Sequence, residues 1–313
     1  MRAFALDDFA TEGSLRDLPE PKPAEGEVEV RVKASSLNAM DWKVAKGYMK
    51  DYMEHRFPLI PGLAFSGVVE ATGPGVEGLK KGDAVFGAVG KPYQGAGAFA
   101  EFATASAATI VPKPASLDDV VAATLPIAGT TALQAIEEAQ LQPGDTVLIV
   151  GASGGVGSFA TELAAQRGAR VLAVGRSENT DYLKGLGAAE VIDYREKDVT
   201  QEVRRLAPEK LAAVIDLVSD GPALEKLTDL VRDRGIVISA LGAAPQESAP
   251  RGIRGFNLAA SLTRERLTQL ASLLERGELQ PPALQRYKLE QAASALQEAA
   301  TGHVKGKVVV TVD

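Results

Sequence analysis

The 313-residue sequence contains no cysteine and two histidines, His55 and His303. The missing thiols exclude disulfides, thiolate-bound zinc, cysteine nucleophiles and iron–sulfur clusters together. Cationic charge is also in short supply: 34 Lys and Arg residues stand against 41 Asp and Glu, for a net charge of −7. A nucleic-acid partner is therefore not expected, because broad phosphate binding needs a basic surface. The longest weakly polar stretch, VVAATLPIAGTTALQAI, is broken by Pro126 and Gly129 and is too short to predict a membrane span. The first residues, MRAFALDDFATEG, are acidic and lack the basic stretch and apolar core of a secretory signal, so a cytoplasmic location is expected.

What remains is an ordinary globular composition, 45% hydrophobic and 24% charged, in a chain long enough for two domains with separate cores. EVEVRVKASSLN alternates Val28, Val30 and Val32 with charged neighbours, the period of a half-buried strand. VVEATGPGVEGLKKGDAVFG continues with strands between Gly and Pro turns, so a barrel or sandwich is expected. From Pro143 the pattern changes. QPGD opens a strand over 146–150, and RVLAVG, AEVIDY, LAAVIDLV and GIVISALG follow, with helices such as PALEKLTDLVRDR between them. That alternation predicts a parallel sheet with helices on both faces. Residues 243–256 lose the pattern and read as a long loop. After them come a helix with Leu267, Leu270, Leu273 and Leu274 on one face, a second helix LEQAASALQEAAT and a last strand KVVVTV. These are too few elements for a domain and are expected to rejoin the N-terminal unit. The expected division is residues 1–118 with 260–313, and 119–259.

The most informative segment is VLIVGASGGVGSFATELAAQRGARVLAVGRSE, residues 147–178. Gly154, Gly155 and Gly157 stand between a strand and a helix, where missing Cβ atoms let backbone approach a pyrophosphate and the helix N-terminus supplies free N–H groups. Ala152 occupies a position where glycine is common, with Gly151 before it; the strand–turn–helix–strand context strengthens the match. GASGG also satisfies a hydrolase nucleophile elbow centred on Ser153, with Asp216 and His303 following in triad order. Against this stand Gly157, the second strand and the absence of an HGGG-type oxyanion segment. A third reading gives the glycines only helix–strand packing to serve. At the end of the second strand an NAD-preferring site carries a carboxylate for the ribose hydroxyls. Here stand Gly175, Arg176 and Ser177, a space, a cation and a hydroxyl suited to a 2′-phosphate. NADPH is the expected cofactor, although Glu178 adjoins them.

The segments ASGGVG, LGAAEVIDYREKD, GHVKGKVVVTV and above all PGLAFSGVVEATGPGV resemble the medium-chain dehydrogenase/reductase superfamily in its zinc-independent quinone oxidoreductase branch, the zeta-crystallin-like reductases. The resemblance runs nearly end to end. It implies an α/β architecture: a Rossmann doubly wound parallel-sheet domain inserted in a GroES-like β-barrel domain, with the cleft between them. Gly62, Gly67, Gly73 and Val76 keep the spacing of the superfamily's zinc segment, but Leu63 and Ala64 replace its His and Glu, and Asn38 stands where zinc enzymes carry a cysteine. Leucine and alanine cannot coordinate a cation, so no metal is expected.

In this branch Asn38, Asp41 and Lys43 align with positions lining the nicotinamide pocket. The resemblance implies that Asn38 bonds near the ribose or substrate, Asp41 orients its neighbours and Lys43 stabilises developing enolate charge. Tyr48 and Tyr52 follow in a segment expected to overhang the site, and a surface ion pair of Asp41 with Lys43 is the plainer alternative. The cofactor set carried over comprises Thr131, Ser153, Gly154, Gly155, Val156, Gly175, Arg176, Ser177, Tyr194 and Leu241. The implied activity is NADPH-dependent reduction of quinones or α,β-unsaturated carbonyls, probed against an enoyl-thioester reductase, a non-enzymatic NADPH-binding protein and the serine hydrolase. A small-molecule substrate and a homodimer are expected, with no nucleic-acid or membrane partner.

Overall fold

The structure is a computed structural model that describes residues 1–9, 11–245, 250–259 and 262–312. Residues 246–249 of the expected loop, and residue 260 at the expected second boundary, lie outside the described residues. The chain divides into two compact units, Met1–Thr130 with Leu262–Asp313, and Thr131–Ser261.

The first unit is built on a seven-stranded sheet whose centre is the strand Glu27–Ser36. Val28, Val30 and Val32 are buried and Arg31 and Lys33 exposed, as the alternation predicts. Glu29 departs from it. Its side chain is buried, and that desolvation, with Glu20 and Glu70 nearby, raises its carboxyl pKa. Glu27–Ser36 pairs antiparallel with Ala64–Thr72, with Phe102–Ser106 and, at its far end, with Lys307–Thr311. The C-terminal strand thus returns to the N-terminal unit. Short helix Ala39–Ala45 leaves the end of Glu27–Ser36 and packs on helix Ala292–Ala300. Leu267, Leu270 and Ala271 form the buried stripe of helix Arg264–Glu275, while Leu273 and Leu274 are only half-buried.

Residues 119–130, expected in the second unit, fold with the first: the Ser66 hydroxyl donates to the Asp119 carbonyl. Pro126 and Gly129 do not break the helical run there. A π-helical turn, Leu125–Gly129, carries it through, and most of its apolar window is buried inside the protein. Its apolarity is that burial.

The second unit contains a six-stranded, wholly parallel sheet. In spatial order its strands are Ala188–Ile192, Arg170–Val174, Thr146–Val150, Leu211–Asp216, Val231–Ser239 and Arg254–Asn257. Val147, Leu148, Ile149, Val171, Leu172 and Ala173 are fully buried, as strands covered on both faces must be. Two expectations need correction. The helix expected over 222–234 is Gly221–Thr228 and ends early, because Val231 already pairs with Leu211 and Arg232 reaches Asp145 at 2.7 Å. The expected loop runs into the edge strand Arg254–Asn257, whose mostly exposed RGFN sequence carries no apolar period.

Candidate functional site

In an open parallel sheet a ligand binds beyond the carboxyl ends of the strands, where the winding reverses. From Thr146–Val150 the chain moves outward through Arg170–Val174 to Ala188–Ile192, then returns to Leu211–Asp216 on the other flank. The reversal lies between Thr146–Val150 and Leu211–Asp216, and the glycine turn stands at its mouth. Gly151 has φ +79°, a left-handed conformation that side chains disfavour. Gly154 caps helix Gly155–Gln166 with extended backbone. A Cβ on Gly157 would lie 2.2 Å from the Gly151 carbonyl oxygen, so helix and turn meet only through glycine. Ala152 is fully buried and its methyl group faces the interior. Ser153, Gly154, Gly155 and Val156 stay partly open to solvent beside first-turn N–H groups that no intrahelical carbonyl satisfies. This is a cradle that fits a pyrophosphate.

Gly175 adjoins the same turn: a Cβ there would sit 3.8 Å from Ser153 Oγ. The next two residues open a charged cluster. Arg176 Nε donates to the Tyr194 hydroxyl at 3.2 Å, and Arg176 lies 3.4 Å from Glu178. Arg195, which the sequence reading passes over, approaches Glu178 at 3.7 Å and Asp193 at 3.3 Å. Asp193 is not a free ribose acceptor. Its oxygens accept the backbone N–H groups of Arg195 at 2.8 Å and Ser177 at 2.6 Å, which holds its carboxyl far below the usual range. Two arginines, a tyrosine hydroxyl and Ser177 therefore gather where an adenosine 2′-phosphate would lie, with Glu178 shared between the cations. The signal for Arg195 was its place directly after DY at the end of the third strand. Leu241 is half-exposed beyond strand Val231–Ser239, at the same sheet edge, and Thr131 lies in the first turn of helix Thr130–Ala139. No hydrogen bond ties either to the cluster.

The first unit supplies a second polar cluster, at the junction of strand Glu27–Ser36 and helix Ala39–Ala45. Asp41 is buried and accepts three backbone N–H groups: Oδ2 takes that of Asn38 at 2.7 Å, and Oδ1 takes those of Gly62 and Leu63 at 3.0 Å. Burial pushes its pKa up against the pull of these bonds. Gly62 has φ +101°, and a Cβ there would strike Phe99 and Ser35, so the loop approaches Asp41 only as glycine. The Asn38 side chain donates through Nδ2 to the Ser36 carbonyl at 3.1 Å and accepts through Oδ1 from Lys307 Nζ at 2.7 Å. Lys307 also donates to the Leu37 carbonyl. Its ammonium is buried, and desolvation lowers its pKa to about 8, with Asp41 opposing. Sequence reading missed this lysine, although it lies in the quoted segment GHVKGKVVVTV.

Lys43 and Tyr48 belong to a different neighbourhood. Lys43 Nζ lies 5.8 Å from the Trp42 ring centroid, and Tyr48 packs edge-on to Trp42 at 6.0 Å. The alternative of an Asp41–Lys43 surface pair is ruled out, because Asp41 is buried and bound to backbone. Tyr48 and Tyr52 are strongly exposed.

A zinc ion does not fit these residues. Leu63 offers only its backbone N–H to Asp41, Ala64 is fully buried, and among the described residues no three His, Cys, Asp or Glu side chains converge. The hydrolase triad also fails. Asp216 Oδ1 accepts the N–H groups of Val218 and Ser219, and Oδ2 has no partner, so no imidazole is held.

A family model described as "Alcohol dehydrogenase GroES-like domain" matches residues 24–115, and one described as "Zinc-binding dehydrogenase" matches residues 186–310. The chloroplast envelope quinone oxidoreductase homolog of Arabidopsis thaliana is 30% identical over 94% of this chain and 92% of its own. The 2-methylene-furan-3-one reductase of Solanum lycopersicum is 30% identical over 99% of this chain and 79% of its own. The solved quinone oxidoreductase from Coxiella burnetii is 33% identical and superposes with a TM-score of 0.86 over 100% of this chain and 99% of its own.

Proposed function

We propose, for a chain that belongs to the medium-chain dehydrogenase/reductase superfamily and to its quinone oxidoreductase branch, the NADPH-dependent reduction of quinones or α,β-unsaturated carbonyls. The chain is an oxidoreductase that uses a nicotinamide cofactor. When bound, that cofactor supplies the hydride. The protein's contribution starts at the glycine turn, where Gly151 and Gly157 shape the backbone, Gly154 closes the turn by donating to the Gly151 carbonyl, and Gly155 and Val156 present first-turn N–H groups to a pyrophosphate.

The observation that carries the choice of NADPH is the cluster of Arg176, Tyr194 and Arg195 beside Ser177. Guanidinium groups match a phosphate dianion, and the carboxylates there are already engaged, Asp193 by backbone N–H groups and Glu178 by the two arginines. The observation that supports the substrate class is the replacement of metal ligands by Asn38, Leu63 and Ala64. Oxidising an alcohol needs an alkoxide stabilised by a metal or a general base. Reducing a conjugated carbonyl needs only hydrogen-bond donors, because the arriving negative charge is delocalised onto oxygen. Asn38 is the donor in this reading, with Asp41 holding its backbone, while Lys43 lies apart beside the Trp42 ring.

The test is a steady-state screen of NADPH oxidation with quinones, enones, enoyl thioesters and saturated aldehydes, and of NADP⁺ reduction with secondary alcohols. Turnover confined to the first two classes supports the proposal. Preference for the thioester redirects it within the superfamily, cofactor binding without turnover makes the protein non-catalytic, and robust alcohol oxidation overturns it.

A further inference from the structure

We propose that Lys307 is a positioning residue for Asn38: by donating to the Asn38 carbonyl oxygen it fixes which end of the amide faces inward and leaves an Nδ2–H available outward. The inference rests on the reading above that Asn38 serves the reacting groups. An asparagine amide is nearly symmetric in shape, and its two orientations differ only in where donor and acceptor point. Lys307 removes that ambiguity. An ammonium carries three donors and no acceptor, so the oxygen of Asn38 must face Nζ at 2.7 Å and the nitrogen must face the Ser36 carbonyl at 3.1 Å. Nδ2 then has a second N–H not used by either bond, on a side chain that is only half-buried.

The lysine is held in turn. It extends from the first residue of strand Lys307–Thr311, is 4% exposed and also donates to the Leu37 carbonyl. Strand Lys307–Thr311 lies between Leu284–Lys288 and Glu27–Ser36, and the charged group that faces the ammonium is Asp41 on helix Ala39–Ala45. Asp41 meanwhile grips the Asn38 backbone N–H. Asn38 is thus fixed at both ends, its main chain by an anion and its side chain by a cation. Loss of the lysine proton would give the amine a lone pair able to accept from Nδ2, and the amide would no longer be confined to one orientation. With its pKa lowered to about 8, that loss falls within an accessible range.

Three variants test this in the full-length protein with NADPH and a quinone: Lys307→Met, Lys307→Gln and Asn38→Ala. Met removes the donor, and Gln keeps a donor without a titrating charge. Lys307→Met is expected to lower kcat about tenfold while the NADPH dissociation constant, read by fluorescence titration, changes less than about twofold. Lys307→Gln should recover most of kcat and lack the alkaline fall in kcat that the wild type shows near pH 8. Asn38→Ala combined with Lys307→Met should be no slower than Asn38→Ala alone. If Asn38→Ala is slow and Lys307→Met turns over like wild type per NADPH-binding site, the positioning role is wrong while the site reading stands. If Asn38→Ala turns over like wild type, the site reading itself fails. Should Lys307→Met not fold, an alkaline limb retained by Lys307→Gln overturns the proposal.

Discussion

Glu178 lies 3.4 Å from Arg176 and 3.7 Å from Arg195, the two guanidinium groups that a 2′-phosphate would engage. It therefore competes with the phosphate for both cations. Glu178→Gln is expected to tighten NADPH binding about threefold to tenfold and to leave NADH within about twofold, with the gain fading at high salt. Arg176→Ala should weaken NADPH by about tenfold and NADH little; isothermal titration with both cofactors reads all four values. Equal affinities for NADPH and NADH in the wild type would remove the basis for the assignment. Lys307 gives a prediction of different sign. Its folded pKa lies near 8, below its ordinary 10.5, so between these values the unfolded chain binds the proton and the folded chain does not. Stability contributed there rises with pH, and below pH 8 the buried charge is a constant cost. Urea unfolding at pH 7, 8, 9 and 10 should show wild type gaining on Lys307→Gln across that window. These two clusters also show what was legible at this scale. Arg176 and Tyr194 are separately readable because each sits at a strand end, but their bond to one another, the grip of Asp193 on Ser177 and the reach of Lys307 to Asn38 join residues that only tertiary structure brings together.

The strands Thr146–Val150, Arg170–Val174 and Leu211–Asp216 were readable because each is an apolar run almost wholly buried, and Thr146–Val150 has the bounds its sequence predicts. Elements that escaped lack that signature. Arg254–Asn257 is an edge strand with mostly exposed side chains, and the helix through Pro126 survives because its freed backbone groups are absorbed by a π turn and by the Thr130 hydroxyl, which donates to the Pro126 carbonyl at 2.5 Å. The turn–helix element yields a paired test. In Gly157→Ala the new methyl group meets backbone at 2.2 Å, so unfolding free energy should fall by about 2 kcal/mol or more. In Gly154→Ala the Cβ meets the Gly151 oxygen at an ordinary 3.5 Å, and stability should stay within about 0.5 kcal/mol while NADPH binding weakens. Thermal denaturation with and without NADPH separates the two. Equal destabilisation by both substitutions would mean that the turn is not packed as described.

At the scale of the whole molecule the composition constrains the chemistry more than the fold does, since relatives of this architecture include a family described by zinc binding. With no cysteine in the chain and Leu63 and Ala64 at the metal positions, purified protein should carry no stoichiometric zinc and lose no activity to a chelator; elemental analysis alongside turnover decides it. The division into two units was visible as a change of pattern near Pro143, but the allocation of 119–130 was not, because an apolar helix reads alike in either core. Strand Lys307–Thr311 completes the sheet begun by Glu27–Ser36, with the entire nucleotide-binding unit between them in sequence. A ribosome therefore finishes the second unit before the first can close its sheet. For that interval the nascent chain holds the parallel sheet of the second unit, while strand Leu284–Lys288, which pairs with Lys307–Thr311, still has no neighbour to bond.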